Sequence, residues 1–135
     1  FIILFCLKYM ITSIIKVYHT REEISEIVKE IENYSFEDLR KHDHFEFSVM
    51  EKSTDIELLE KTFGEFELIK SIELRENEKG QKHYGFNYEL RDGTFVVIVL
   101  VLDSMIPMIV NGYHRNMNYK RFERSLRKYY GDKFI

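Results

Sequence analysis

The adjacent residues His114 and Arg115 combine two side-chain types used in metal-free phosphodiester chemistry. A histidine titrates near neutral pH and can move a proton, while an arginine beside it can stabilise a negatively charged transition state. Both residues follow a predicted strand and precede a predicted helix, whose first backbone N–H groups attract anions. The pair therefore predicts general acid–base catalysis on a phosphate ester. The alternative is a surface histidine with no catalytic role.

A second set of polar residues alternates along the predicted strand 82–90. Successive side chains of a strand point to opposite faces, so one face carries His83, Gly85, Asn87 and Glu89. His83 and Glu89 can transfer protons, and Gly85 lets a ligand approach the backbone closely. The pattern predicts a cleft in which His83 is a catalytic candidate. The alternative is an exposed sheet face with a glycine at a bulge.

The C-terminal end of the chain concentrates its basic charge. Residues 111–135 hold 7 of the 20 Lys and Arg but only 2 of the 23 Asp and Glu, so they are net +5 while residues 1–110 are net −8. On the helix predicted over 118–130, one side carries Lys120, Arg121, Arg124, Arg127 and Lys128. This arc is a candidate surface for nucleic-acid phosphates. The alternative is the solvated face of an ordinary amphipathic helix.

Two histidines, His42 and His44, would lie on the same face of a strand, where a metal site can begin. No further ligands with metal-site spacing accompany them in the sequence, and Cys6 is its single cysteine. We therefore predict neither a metal ion nor another cofactor. Glycine-rich nucleotide-binding loops and the serine-hydrolase motif do not occur in the sequence. The cysteine usage favours a reducing compartment, and we expect a cytoplasmic protein.

The chain opens with seven apolar residues, Phe1 to Leu7, followed by Lys8. This stretch is too short to cross a bilayer, which takes roughly 20 residues. No basic segment precedes it, as one would in a signal peptide. Residues 1–9 are therefore predicted to be either an upstream remnant before a start at Met10 or a strand extension. No membrane association is predicted.

Hydrophobic periodicity indicates the elements of the first half of the chain. Thr20 and Glu23 have capping-box spacing at the start of an amphipathic pattern. Phe45, Phe47 and Val49 alternate with polar residues, as in a half-buried strand. The predicted elements are a strand over 11–18, a helix over 21–33, a strand over 44–50, and a short helix over 56–63 that Gly64 closes in the left-handed conformation.

The second half reads as a series of strands before the basic helix. Strands are predicted over 66–76, 82–90, 94–103 and 106–113. Asp92-Gly93 predicts a two-residue type I′ hairpin turn. The apolar strand after it should be central in the sheet and covered on both faces.

Together these elements predict one α+β domain over 1–135. Its mainly antiparallel sheet of four to six strands packs with an N-terminal helix, a short middle helix and a C-terminal basic amphipathic helix.

The layout of the segment from about His42 to Tyr130 resembles the small ribonuclease toxins of the RelE/BrnT/MqsR type. The similar segments are His44-Phe45-Glu46-Phe47-Ser48 and Asp55–Phe63, then Tyr84-Gly85-Phe86-Asn87-Tyr88, Arg91-Asp92-Gly93-Thr94 and the basic C-terminal segment. The resemblance implies RNA cleavage without metal, by attack of a 2′-hydroxyl, with an antitoxin covering the site. By position it implicates His83, His114, Arg115 and Arg124.

Two functions are therefore expected from different classes. The first is a metal-independent ribonuclease of toxin–antitoxin type, or a degenerate relative, that binds RNA through the basic C-terminal segment. The second is a non-catalytic module that binds nucleic acid or an acidic protein. In the second case the acidic helix over 21–33 can meet the basic helix of another copy, giving a salt-sensitive homodimer.

Overall fold

The computed structural model describes residues 12–51 and 54–135. Its strands are β1 Thr12–Tyr18, β2 Arg40–Lys41, β3 Ile69–Asn77, β4 Lys82–Glu89, β5 Phe95–Val101 and β6 Met108–Arg115. Its α-helices are α1 Arg21–Val28, α2 Asp43–Met50, α3 Ile56–Phe63 and α4 Tyr119–Tyr130. Short 3₁₀ turns occupy Phe36–Asp38, Phe66–Leu68 and Gly131–Phe134. The prediction for residues 1–9 lies outside the described residues.

The predicted α+β class is confirmed. The six strands form one sheet in the order β1-β3-β4-β5-β6-β2. Every neighbouring pair is antiparallel except β2 and β6, which run parallel. The chain crosses from β1 at one edge to β2 at the other, and α1 lies on this crossover. As predicted, the apolar strand β5 is central.

Helices α1, α2 and α3 cover one face of the sheet and form the main core with it. Ile24 and Ile27 of α1 are buried at helical spacing, and Leu59 of α3 packs in the same core. Leu59 also lies where β6 has a glycine, because a Cβ on Gly112 would come within 2.5 Å of Leu59 Cδ1. A side chain at position 112 would therefore have to displace the buried side chain of Leu59, and glycine lets α3 approach the sheet closely.

Helix α4 covers part of the opposite face. Its N-cap Asn118 accepts a hydrogen bond from the Arg121 backbone N–H, and the Tyr119 N–H donates to the Gly93 carbonyl at 2.7 Å. Leu126 packs on β1, and Tyr119 packs on β5. The predicted helix over 118–130 is confirmed, and contacts at both ends fix it across the sheet.

The strand predicted over 44–50 is wrong, because these residues form α2. His42 caps this helix by accepting the His44 backbone N–H on Nδ1 at 3.0 Å. Phe45 is fully buried, and its ring meets that of Phe36 edge-on at 6.4 Å. Because Phe45 and Val49 are four residues apart, they also share one side of a helix. The apolar pattern was therefore compatible with a strand, through all three alternating residues, and with a helix, through Phe45 and Val49. Packing in the core decided between the two.

Three local predictions also need correction. Helix α1 ends at Val28 rather than at residue 33. After Val28 the backbone hydrogen bonds join residues three apart, with the Glu30 N–H donating to the Ile27 carbonyl and the Ile31 N–H to the Val28 carbonyl. Gly64 has φ −79° and is not left-handed. The hairpin at Asp92-Gly93 is confirmed, but its turn bond runs from the Gly93 N–H to the Leu90 carbonyl, and Gly93 has φ +87°. This is a three-residue loop that ends in a left-handed glycine.

Candidate functional site

A cleft of about 190 Å³ opens on the face of the sheet that α4 covers only in part. We call it the sheet cleft. Its polar lining consists of Thr12, Glu73, Arg75, His83, Asn87, Asn111, Tyr113 and Arg115, and Gly85 also lines it. Its apolar lining includes Phe95, Val97, Val99, Val110 and Phe122. Most residues buried on the opposite face are apolar, so the concentration of polar groups here makes the sheet cleft the candidate site.

Strand register explains why these residues meet. Side chains directly opposite each other on antiparallel strands share a face, and the β3–β4 register pairs Arg75 with His83, Glu73 with Gly85 and Ser71 with Asn87. On the other side, the β5–β6 register pairs Val97 with Tyr113 and Phe95 with Arg115. Four strands therefore contribute to one surface, with the predicted face of β4 in the middle. Of the four residues predicted on this face, His83, Gly85 and Asn87 line the cleft, whereas Glu89 is not among its lining residues.

A hydrogen-bonded network lies beneath the cleft. Asn87 Nδ2 donates to Ser71 Oγ at 3.0 Å and to Glu73 Oε2 at 2.8 Å. Ser71 Oγ is 2.7 Å from the hydroxyl of Tyr119, which connects the network to α4. All four residues are at most 5% exposed. Because burial of a polar group is costly unless it is hydrogen-bonded, this network orients its members closely.

One atom of this network is unsatisfied. Asn87 Oδ1 is buried and has no hydrogen-bond partner in the described part of the chain. Such an acceptor costs about 1–3 kcal/mol relative to its hydrogen-bonded state. A donor from a bound molecule that reaches Asn87 would remove this cost.

Glu73 and Arg75 form an ion pair along one wall of the cleft. Arg75 Nη2 is 2.6 Å and Nε is 3.1 Å from Glu73 Oε1. Arg75 Nη1 also donates to Thr12 Oγ1 on β1 at 3.4 Å. The Glu73 side chain is 6% exposed, whereas that of Arg75 is 35% exposed. The guanidinium therefore remains open to the solvent side, where an anion can reach it.

His83 is the histidine that lines the cleft. It is 3% exposed, and burial lowers its pKa; nearby His42 lowers it further, while Asp103 opposes the shift. Its Nε2 lies 3.5 Å from Gln81 Oε1. A histidine with a lowered pKa is neutral at pH 7, and a neutral imidazole nitrogen can accept a proton.

Arg115 occupies the other end of the cleft. Its guanidinium carbon lies 5.9 Å from the centroid of the Phe95 ring and 6.0 Å from that of Phe122. Beside it, burial raises the pKa of Tyr113, with a further rise from Glu73 and an opposing effect of Arg115 and Arg75. Tyr113 therefore stays protonated and can donate a hydrogen bond to a ligand.

The three predicted catalytic residues do not form one cluster. His83 and Arg115 both line the cleft, but His114 points to the other side of β6, since Tyr113 and Arg115 on either side of it face the cleft. His114 Nε2 instead lies 2.9 Å from Thr94 Oγ1, and the residue is exposed. Arg115 pairs with Phe95, and Phe95 pairs with Glu89 on β4. Because Glu89 is six residues from His83, the backbones of Arg115 and His83 lie about 20 Å apart along the strand direction. A single phosphate would not meet both.

The sequence prediction missed several polar residues of the cleft, namely Thr12, Glu73, Asn111, Tyr113 and Arg75. Among them, Arg75 carries a partly exposed cation. It lies directly opposite His83 across the β3–β4 pair. The sequence shows a turn at Asn77-Glu78-Lys79-Gly80. Pairing Glu76 with Lys82 across this turn would have placed Arg75 opposite His83. The missing information was the register, because a shift of one residue turns Arg75 to the other face.

Comparisons of this chain with protein-family models, with curated proteins and with solved structures found no match. The assignment of the site therefore depends on its own geometry.

A separate basic surface lies on α4, on the side away from the sheet. Lys120, Arg121 and Arg124 are exposed, and their side chains form no hydrogen bond or ion pair with any described residue. Arg127 pairs with Glu123 at 3.3 Å and lies over the Phe134 ring at 4.4 Å. Lys128 lies over the ring of Tyr129 at 5.5 Å. We call these five cations the basic face; its first three members are open to a polyanion.

The two histidines considered for a metal site are placed differently from the prediction, because His42 caps α2 and His44 belongs to that helix. Residues 12–51 and 54–135 contain no group of three or more His, Cys, Asp or Glu side chains arranged to hold a metal ion. Within the same ranges, no helix has both the length and the apolar character needed to cross a bilayer.

The buried histidines predict that stability falls on mild acidification. Burial lowers the pKa of His44 and of His83, and His42 lowers both further. In the unfolded chain a histidine binds a proton below about pH 6.5, so the unfolded state binds more protons there and is favoured. We expect a lower urea midpoint at about pH 5.5 than at about pH 7.5. The His44→Asn/His83→Asn double variant should show a smaller difference, and an equal midpoint of the wild type at both pH values would contradict the assignment.

Proposed function

We propose that this chain is a metal-independent ribonuclease whose reacting groups lie in the sheet cleft. The observation that carries the proposal is the cross-strand pair of His83 and Arg75, a neutral imidazole opposite a partly exposed guanidinium. Cleavage of RNA without metal needs a group that moves a proton and a cation that stabilises the phosphorane-like transition state. This pair supplies both within one cleft.

The reaction follows from the roles of the two side chains. His83 takes the proton of a ribose 2′-hydroxyl, and the resulting oxygen attacks the adjacent phosphorus. The bond from phosphorus to the 5′-oxygen of the next nucleotide breaks, and that oxygen takes a proton from water and leaves as a hydroxyl. His83 then releases its proton to the hydroxide that remains. The products are a 2′,3′-cyclic phosphate and a 5′-hydroxyl end. Arg75 stabilises the charge on the phosphate oxygens, and Arg115 can hold a different phosphate of the same chain.

The basic face of α4 supports RNA as the substrate, although it does not lie in the cleft. Projection of α4 places Arg121, Arg124 and Lys128 opposite the buried Tyr119 and Leu126. These cations therefore attract a nucleic-acid chain to the molecule rather than contact the bond that breaks. Attraction of this kind raises association rates and falls with added salt.

Neutralising three open cations of the basic face should weaken RNA binding. For the Lys120→Gln/Arg121→Gln/Arg124→Gln variant, we expect the slope of log K against log salt to fall by about 2, since each lost contact with single-stranded phosphates contributes about 0.7. Fluorescence anisotropy with a labelled single-stranded RNA at several salt concentrations measures this slope. Lys29→Gln/Lys61→Gln/Lys79→Gln removes the same charge elsewhere and is the control. An equal change in both triple variants would show that only net charge matters.

RNA cleavage in EDTA tests the proposal as a whole. Purified protein is incubated with end-labelled single-stranded and structured RNAs, and products are expected to carry 2′,3′-cyclic phosphate ends. Absence of cleavage for every RNA, at protein concentrations where anisotropy shows binding, would overturn the enzymatic proposal.

A non-catalytic module is the second candidate. It is favoured by Lys120, Arg121 and Arg124 of the basic face, whose side chains pair with no residue in the described part of the chain. In this case their partner is nucleic acid or an acidic protein, of which an antitoxin is one example and the acidic α1 of a second copy another. Light scattering that gives the mass of a dimer at low salt and the mass of a monomer at high salt would support the charge-paired homodimer. The relationship to RelE-type toxins remains a hypothesis.

A further inference from the structure

Gly85 leaves a hollow in the middle of a strand where the fold does not require glycine. Among the described glycines, Gly80 and Gly93 have positive φ, but Gly85 does not. A Cβ at this position would lie 3.8 Å from the Glu73 carbonyl oxygen and 3.9 Å from Glu73 Cβ, both ordinary contacts. Glycine weakens a strand interior relative to residues with side chains. Its presence therefore points to a molecule that occupies the space above it.

The walls of this hollow define the shape of that molecule. Val97 and Val99 of β5 and the ring of Phe122 give it an apolar side, while Glu73 and Asn87 give it a polar side. A cavity of about 150 Å³ holds one benzene ring, and the whole cleft has about 190 Å³. The space fits one six-membered ring better than a fused pair of rings.

The polar side defines the chemistry of the molecule. Asn87 Oδ1 is buried without a partner in the described part of the chain, so it needs a hydrogen-bond donor. The donors of Asn87 are already used by Ser71 and Glu73. A ring that presents an amino group is therefore accepted, while one that presents a carbonyl oxygen at the same place meets another acceptor.

We propose that the hollow above Gly85 is a base-binding pocket for cytosine, which has one six-membered ring and an exocyclic amino group. This inference rests on the proposed function for its ligand class. It places the base two residues, about 7 Å, along β4 from His83, so that the 3′-phosphate of the same nucleotide lies towards Arg75 and His83. RNA would then be cut on the 3′ side of cytidine.

Binding of free nucleotides tests the pocket independently of catalysis. Isothermal titration calorimetry of the full chain with 3′-CMP and 3′-UMP should give at least about tenfold tighter binding of 3′-CMP, a difference of about 1.4 kcal/mol. Equal affinities, or no binding of 3′-CMP, would overturn the proposal. The result does not depend on whether RNA is cleaved.

Two substitutions at Gly85 locate the binding. Gly85→Val fills the hollow and should abolish 3′-CMP binding, and Gly85→Ala should weaken it while keeping the fold, because the added Cβ has room. Gly64→Val is the control, since Gly64 lies at the end of α3 with nothing within 4 Å of its added Cβ. Full 3′-CMP affinity in folded Gly85→Val, or in Gly85→Ala if the valine variant does not fold, would overturn the proposal.

The outcomes separate this inference from the proposed function. RNA cleavage without preference for cytidine, together with equal nucleotide affinities, would leave the ribonuclease proposal standing and remove the pocket. Selective, Gly85-dependent binding of 3′-CMP without any RNA cleavage would support the pocket and overturn the ribonuclease proposal.

Discussion

Replacement of His83 with asparagine is expected to lower the rate of RNA cleavage about 10²–10⁴-fold, the usual contribution of a general base. The same substitution at His114 should leave the rate unchanged. His83 lies in the sheet cleft opposite Arg75, whereas His114 is on the reverse side of β6 and bonds to Thr94. Asparagine keeps hydrogen-bonding capacity but cannot exchange a proton near neutral pH.

The two histidine variants control for each other, because they remove the same group from opposite faces of one sheet. Initial rates on an end-labelled RNA in EDTA give the comparison, and circular dichroism checks that both variants are folded. If His114→Asn loses activity and folded His83→Asn keeps it, the reaction takes place on the side of α3, and the sheet cleft is not the active site. Activity that persists in both variants would exclude both histidines as the base.

Replacement of Arg75 with methionine should lower the free energy of unfolding by about 2 kcal/mol. It leaves the carboxylate of Glu73, which is 6% exposed, without its cation. Loss of one partner from a fully buried pair costs about 3–5 kcal/mol, and the 35% exposure of Arg75 reduces this value through solvent screening. Urea unfolding monitored by tyrosine fluorescence measures the change.

A double variant and a surface pair complete this experiment. Glu73→Gln/Arg75→Met removes both charges and should recover more than half of the loss, since no unpaired carboxylate then remains buried. Lys29→Met breaks the exposed pair with Glu26, whose side chains are 63% and 72% exposed, and should change stability much less than Arg75→Met does. If Arg75→Met costs no more than Lys29→Met, the Glu73–Arg75 pair does not stabilise the fold.

Local sequence patterns predicted the elements that short-range chemistry controls. Thr20 and Glu23 form the predicted capping box that starts α1, and α4 lies within the predicted range 118–130. The hairpin at Asp92-Gly93 and the central position of β5 were also visible, because turn residues and continuous apolar runs act within a few residues. Even here a pattern of three alternating residues failed at α2, where packing of Phe45 against Phe36 decided the outcome.

The face of β6 shows how an error in one boundary changed the predicted site. The strand was expected to end at residue 113, which left His114 and Arg115 together in a loop. In the structure β6 continues to Arg115, which pairs with Phe95. Alternation along the strand then sends His114 and Arg115 to opposite faces. Neighbours in sequence were therefore separated by the full thickness of the sheet.

The sequence by itself determined the class of the fold, the basic face of α4 and the polar face of β4, because these depend on periodicity within single elements. The tertiary structure alone decided which strands are neighbours. Register brought Glu73 and Arg75 to Gly85 and His83, and partial cover by α4 left a cleft there. Such contacts join residues from separate elements, and no spacing along the chain encodes them, since a shift of one residue in β3 would place the same side chains on the other face.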